Sequence, residues 1–217
     1  MSVPCAGCAA PCCRNYVVGL WAYDVYRIAT RLALPMADFC TLVWRDAADA
    51  DHQIVLDAAA LPRRYYALTL AKVPDPDPQR QKRCVFLVSI GGRGRCGAYA
   101  ARPQVCRLYP TTELHGIISA SGGGLYCPPG SWQIADLSLD RARVTWREQR
   151  AQRALHDALV AAWNRHLQAT PRPRSEREFL DFLATAMRRL EGQDPEGFHA
   201  PASWPAGYGA AALEVAP

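Results

Sequence analysis

The chain reads as an α+β fold, with a small irregular core that a metal stabilises, a helix and a short antiparallel sheet around it, and helices appended behind. Three observations predict this. Four cysteines (Cys5, Cys8, Cys12 and Cys13) stand within the first thirteen residues, and four more follow at Cys84, Cys96, Cys106 and Cys127. β-Forming runs separated by Gly and Pro fill the middle of the chain. The last third has no cysteine and carries helical periodicity. A length of 217 residues fits one domain with an appendage, or two small domains. The expected division is a cysteine-cluster domain over 1–135, a helical appendage over 141–191, and a Gly/Pro/Ala-rich tail over 192–217.

The elements follow in order. Residues 1–15 form a cysteine loop with Gly7 and Pro11. From Asn15 to Leu34, Val17, Leu20, Trp21, Asp24, Val25, Ile28 and Leu32 recur at three- and four-residue spacing, which predicts a helix with one apolar stripe. Asp24 lies in or beside that stripe, where an arginine partner or the metal site would receive it. Pro35 ends the helix, and a second short helix is expected over Met36 to Val43. Residues 46–64 have no clear period, and His52 there has no companion at ligand spacing. Strands are expected over Tyr65 to Val73, over Cys84 to Ile90 as a buried strand, and over His115 to Ala120. Pro74, Pro76 and Pro78 make a stiff connection, and the glycines near 91–94 and 122–124 make turns.

Further on, Arg147 to Gln168 predicts an amphipathic helix with Leu155, Leu159, Ala162, Trp163 and His166 on one face. After Pro171 and Pro173, S-E-R-E from Ser175 to Glu178 is a capping-box signature opening another helix. Phe179, Phe182, Leu183, Met187 and Leu190 are its buried face. Trp204 and Tyr208 are the expected anchors of the tail.

The cysteines carry the chemistry. Cys5 and Cys8 form a C-x-x-C pair, a spacing that lets two sulfurs converge on one metal across a turn. Cys12 and Cys13 are adjacent, and neighbouring side chains point apart, so they suit two metals or a polynuclear cluster, or else one of them is a thiol that stands behind the metal without binding it. Cys84 opens a strand and Cys96 leaves the turn behind it, so a hairpin would bring the two together. Cys127 precedes Pro128, as the last ligand does in ferredoxin-type runs. The expected ligands are therefore Cys5, Cys8, Cys12, Cys13, Cys84, Cys96, Cys106 and Cys127. Cys40 stands apart and reads as a small buried hydrophobe on a helix. Behind the ligands, Asp24, Arg102, Arg107 and Tyr109 are expected to orient or neutralise the thiolates, since four thiolates on one zinc leave a net charge of about −2. An iron–sulfur cluster or zinc is the expected cofactor.

Composition bounds the setting. The net charge of +5 is spread along the chain, and its densest cluster, Arg80, Lys82 and Arg83, is short. No nucleic-acid footprint is read from it. The longest apolar stretch, Tyr16 to Tyr23, falls well below the roughly 20 residues of a membrane span. No basic segment precedes an apolar run near the start, so a reducing cytoplasm is expected, where cysteines act as ligands rather than in disulfides.

At these residues the chain resembles the CxxCxxCC cysteine-cluster family of YkgJ type, described as zinc- or iron-chelating domains. The resemblance covers about residues 5–130. It runs through the N-terminal cluster, D-V-Y-R-I from Asp24 to Ile28, the strand at Cys84, and C-G-A-Y-A-A-R-P-Q-V-C-R-L-Y-P from Cys96 to Pro110. Two features depart from the family pattern: three residues separate Cys8 from Cys12, and Gly97-Ala98 replaces the usual text after Cys96. The resemblance implies a bound metal. Flagellin lysine-N-methylase is similar in its cysteine motifs, which implies an alternative as a metal-dependent protein-modifying enzyme, with Asp24, Tyr99, Arg102, Arg107 and Tyr109 as candidate groups. No Rossmann-like glycine-rich turn after a strand, of the kind that would hold S-adenosylmethionine, supports that alternative independently. A third expectation is a protein partner docked on the C-terminal helices, whose Arg147, Arg150, Arg153, Arg188 and Arg189 would face solvent.

Overall fold

The computed structural model describes residues 10–46, 53–77, 79–91, 93–120, 135 and 137–208. Cys5, Cys8, His52, the turn at 122–124 and Cys127 lie outside the described residues. The architecture is α+β. Helix α1 is Pro11–Asn15, and α2 is Ala22–Leu32. Strands β1 (Cys40–Arg45) and β2 (Tyr65–Leu70) follow, then β3 (Lys72–Pro74), β4 (Lys82–Cys84), β5 (Leu87–Ile90) and β6 (Arg93–Cys96). Helix α3 is Gln104–Leu108, β7 and β8 are Thr111–Leu114 and Ile117–Ala120, and α4 (Leu139–Ala169) and α5 (Glu176–Gln193) close the chain. The strands pair as four antiparallel two-stranded ribbons, β1–β2, β3–β4, β5–β6 and β7–β8. This replaces the single small sheet expected from the sequence.

The long helix expected from Asn15 starts only at Ala22, because the residues before it are used as a strand. Leu20 N–H donates to Leu68 C=O at 3.0 Å, and Leu70 N–H donates to Val18 C=O at 2.9 Å. Val18 and Leu20 are buried with exposed Gly19 between them, a period-two pattern. Over 17–21 the apolar residues satisfy both periods, and pairing with β2 selects the extended one. Once α2 begins, its stripe is as expected. Val25 and Ile28 are fully buried, each worth about 1.5–3 kcal/mol relative to exposure.

Three other expectations are corrected. The helix over Met36 to Val43 is a single 3₁₀ turn, Met36–Asp38, followed by β1. Thr41, Leu42, Val43 and Trp44 are β-branched or large side chains that fit a pleated pair, here opposite Thr69, Leu68, Ala67 and Tyr66. Cys40 is therefore on a strand, though buried as expected. The run Cys84 to Ile90 breaks at Val85-Phe86, and Val88, Ser89 and Ile90 are exposed rather than buried. The third strand is half of a hairpin, β7–β8, turning at His115 and Gly116, both with positive φ.

The C-terminal helices share the core of the cysteine-bearing part. Leu155, Leu159, Trp163, Phe179, Leu183 and Met187 lie in one apolar cluster with Tyr23, Val25, Ile28 and Leu68. Helix α4 packs on α2 and α3, and α5 packs on α2. The tail is anchored as expected: Trp204 stacks on Tyr208 with centroids 4.5 Å apart, and meets Tyr23 edge-on at 5.2 Å. Among the described residues no helix is long and apolar enough to cross a membrane.

Candidate metal centre

The fold brings five of the eight expected thiols into one neighbourhood. Cys12 and Cys13 come from α1, Cys84 from the end of β4, Cys96 from the end of β6, and Cys106 from α3. Cys13 interacts electrostatically with Cys12, Cys84 and Cys106. Cys84 interacts with Cys96 and Cys12, and Cys106 with Cys84, Cys96 and Cys12. Cys40 is absent from these couplings; its thiol donates to Met36 C=O at 2.9 Å, and burial pushes it up to about 12.

Two short turns explain how Cys84 and Cys96 are presented. Each cysteine ends a strand, and the chain then turns so that the amide two residues on donates to its sulfur: Phe86 N–H to Cys84, and Ala98 N–H to Cys96. The two turns are bonded to each other through Gly97 N–H and Phe86 C=O at 2.8 Å. The break within Cys84 to Ile90 is thus what exposes the donating amide. Such donors favour the thiolate form. Burial is the larger effect and raises Cys84, Cys96 and Cys106 above the ordinary thiol value. On α1 the adjacent pair shares a proton. Cys13 donates to Cys12, which lowers Cys12 to about 6, and Cys13 itself is raised. Among the described residues no group of three or more Cys, His, Asp or Glu is arranged to hold a metal by itself.

Cations surround the thiols. Lys72 is half-buried, stands opposite Cys84 in the β3–β4 register, and donates its Nζ to Cys13 C=O at 3.1 Å and Arg14 C=O at 3.0 Å. It therefore ties the end of α1 to the hairpin and sets a positive charge beside Cys12, Cys13 and Cys84. Arg14 pairs with Asp75 at 2.9 Å, a second tie between the same elements. Arg102 favours the thiolate of Cys96 through its charge and lies over the Tyr99 ring at 3.9 Å.

Asp24 and the R-P-Q-V-C-R segment form the opposite wall. Asp24 is fully buried; its Oδ1 accepts from Gln104 N–H at 2.9 Å and from Arg27 at 3.1 Å, and Trp21 N–H donates to its Oδ2 at 3.4 Å. Burial raises its carboxyl above the ordinary value, and Arg27 opposes that shift. Arg27 also donates to Arg102 C=O at 2.6 Å. Gln104 bonds Thr145 C=O at 2.6 Å on α4, and Arg107 pairs with Glu148 at 3.0 Å. Together these contacts clamp the segment that carries Cys106 between α2 and α4. Tyr109 is half-buried at the end of α3, with its N–H on Val105 C=O.

Reading the sequence missed Lys72, Gln104 and Arg27. Lys72 interrupts an otherwise apolar strand run next to Ala71, and a lone cation there is a signal that it meets negative charge. Arg27, three residues after Asp24 on α2, is the local arginine partner expected for that carboxylate without being named, whereas Gln104 and the Arg27–Arg102 bond depend on contacts across 41 to 80 residues, for which the sequence offers no local signal.

Sulfur is the donor a thiophilic metal takes, and the neighbourhood supplies five sulfurs from four elements, amide donors to two of them, and cations behind. A family model described as "Putative zinc- or iron-chelating domain" matches residues 4–128. No curated protein and no solved structure matches the chain. The matched span is more than half of the 217 residues and holds every segment that brings a thiol to this cluster, so the chain belongs to the CxxCxxCC family.

Proposed function

We propose that the protein is a cytoplasmic cysteine-ligated metal-binding protein that acts in redox chemistry or metal handling, with zinc or an iron–sulfur cluster as its cofactor. The convergence of Cys12, Cys13, Cys84, Cys96 and Cys106 from four elements carries this reading. Five thiols exceed the four ligands that one tetrahedral zinc takes. That surplus favours two metal ions or a polynuclear cluster, with Cys5, Cys8 and Cys127 completing the set. Bound metal would supply thiolate-tuned electron transfer if it is iron, or structural cross-linking and exchange if it is zinc. The protein's own residues hold the thiolates: Phe86 and Ala98 amides donate to sulfur, and Lys72 and Arg102 offset negative charge.

The protein-modifying alternative needs a free catalytic group near the metal. Asp24 and Arg107, two of its five candidates, are engaged in clamping α3, which favours the binding reading. The test is metal content after single substitution. Cys84→Ser, Cys96→Ser and Cys106→Ser are expected to lose most of the bound metal under anaerobic purification, while Cys40→Ser keeps it. Equal metal content in all four variants would overturn the assignment.

A further inference from the structure

The thiols stand on two supports of unequal strength. Cys84, Cys96 and Cys106 sit on parts bound to the core. The turns after Cys84 and Cys96 are bonded to each other, Val85 N–H donates to Ala71 C=O at 3.1 Å, and Leu87 beside them is buried. The helix of Cys106 is clamped through Asp24 and Gln104, both fully buried. Cys12 and Cys13 sit on α1, none of whose five residues is buried. A helix of that length has no stability of its own. The apolar surface this end gives the core is small: Ala10 ahead of the helix, and the partly buried Cys13.

Polar ties near its C-terminal end hold α1 on the β3–β4 hairpin. Lys72 Nζ reaches two of its last carbonyls, those of Cys13 and Arg14, at 3.1 and 3.0 Å. Arg14 pairs with Asp75 at 2.9 Å, the two side chains being 12% and 2% exposed. Beyond Arg14 the chain is exposed at Asn15, Tyr16 and Val17. It is next fixed at Val18, whose C=O accepts from Leu70 N–H at 2.9 Å. Residues 15–17 therefore form a pivot between α1 and a chain segment pinned to β2.

We propose, resting on the metal-binding reading, that α1 is the arm through which the centre exchanges its metal, and that Lys72 and Asp75 set how often it opens. When the two ties part, α1 turns about residues 15–17 and carries Cys12 and Cys13 away, while Cys84, Cys96 and Cys106 stay in place. Each coordination place that a thiolate of α1 gives up is taken by one donor atom of the incoming acceptor, so no electrons change hands. The acceptor approaches from the α1 side, because the opposite wall is clamped between α2 and α4. Opening of this kind is drawn from the parts of a fold with the lowest local stability.

The test follows transfer of metal from the anaerobically purified, loaded full chain to excess pyridylazoresorcinol. Lys72→Met removes one tie together with a positive charge, and Asp75→Asn weakens the other together with a negative charge. If these residues acted only through their charge on the thiolates, the two variants would shift the rate in opposite directions. Release is instead expected to quicken in both, about tenfold or more, since a hydrogen bond to a charged group is worth at least that factor. Arg80→Gln, which removes a cation of the same hairpin that pairs with Asp77, should release metal at the unmodified rate. Hydrogen exchange of the loaded proteins gives a second readout. The Cys13 and Tyr16 amides, bonded to Ala10 and Cys12, should lose protection in both tie variants. The Gly97 and Gln104 amides should keep theirs, which also establishes that the variants fold. Equal release rates in all four proteins, slower release from Asp75→Asn, or protection lost equally at Gly97 and Gln104 would overturn the proposal and leave the metal reading standing. A full chain that purifies without metal would overturn both.

Discussion

Asp24 is a fully buried carboxylate whose oxygens meet a helix-opening amide, an arginine and the first amide of α3. Its contribution is to position Cys106, because Gln104 N–H is bonded to it and begins the helix on which that thiol sits. Asp24→Ala would leave Arg27 half-buried without its ion pair and Gln104 N–H without an acceptor. Loss of one partner from a buried pair costs on the order of 3–5 kcal/mol. Urea unfolding of Asp24→Ala is expected to show a loss of that size, with a smaller one for Asp24→Asn, which retains an acceptor oxygen. Equal stabilities of all three would remove Asp24 from this role. Lys72 has the complementary part on α1, holding two carbonyls and facing three thiols at once.

At the scale of elements, α5 shows a local signal acting as the sequence implies. Ser175 Oγ accepts from Glu178 N–H at 3.2 Å, and Ser175 N–H donates to Glu178 at 2.9 Å. Glu178 also pairs with Arg172 at 2.6 Å and Arg174 at 3.1 Å. The Ser175 amide, then the two arginines, pull its carboxyl from the ordinary 4.5 to about 2. A group depressed on folding stabilises the fold above its unfolded value and loses that contribution as pH falls. The window here runs from about 4.5 down to about 2. Thermal melts are expected to fall in temperature across that window, and less steeply in Glu178→Gln. Parallel pH profiles for the two proteins would contradict this.

The capping box was legible because its parts lie within four residues. The breaks that make the thiol cluster were not. The strand run Cys84 to Ile90 looks continuous, and only its hydrogen bond to the Cys96 turn, through Phe86 and Gly97, shows why it must stop. Likewise β1 exists because β2 pairs with it 20 or more residues later. The identity of the ligand-bearing segments was readable from cysteine spacing, whereas Lys72 and the Asp24–Gln104 clamp arise from long-range contacts.

Across the whole molecule, one apolar core joins α2, the β1–β2 pair, α4, α5 and the Trp204 tail. The thiol cluster lies beside it, built from short elements of three to five residues, α1, β4, β6 and α3. Such elements are too short to persist alone. Thiolate–metal bonds would supply the missing cross-links, worth on the order of 10 kcal/mol for a structural zinc. Metal removal should therefore loosen this side first, while the helical core persists longer.

The most direct measurement is elemental analysis of anaerobically purified protein, joined to X-ray absorption at the edge of the metal found. Zinc or iron in stoichiometric amount is expected, with sulfur neighbours at about 2.3 Å filling its coordination shell. A broad visible band with acid-labile sulfide would make the metal an iron–sulfur cluster, and a colourless protein would make it zinc. Metal-free protein whose nine thiols all titrate, or a metal bound by oxygen and nitrogen alone, would contradict the account.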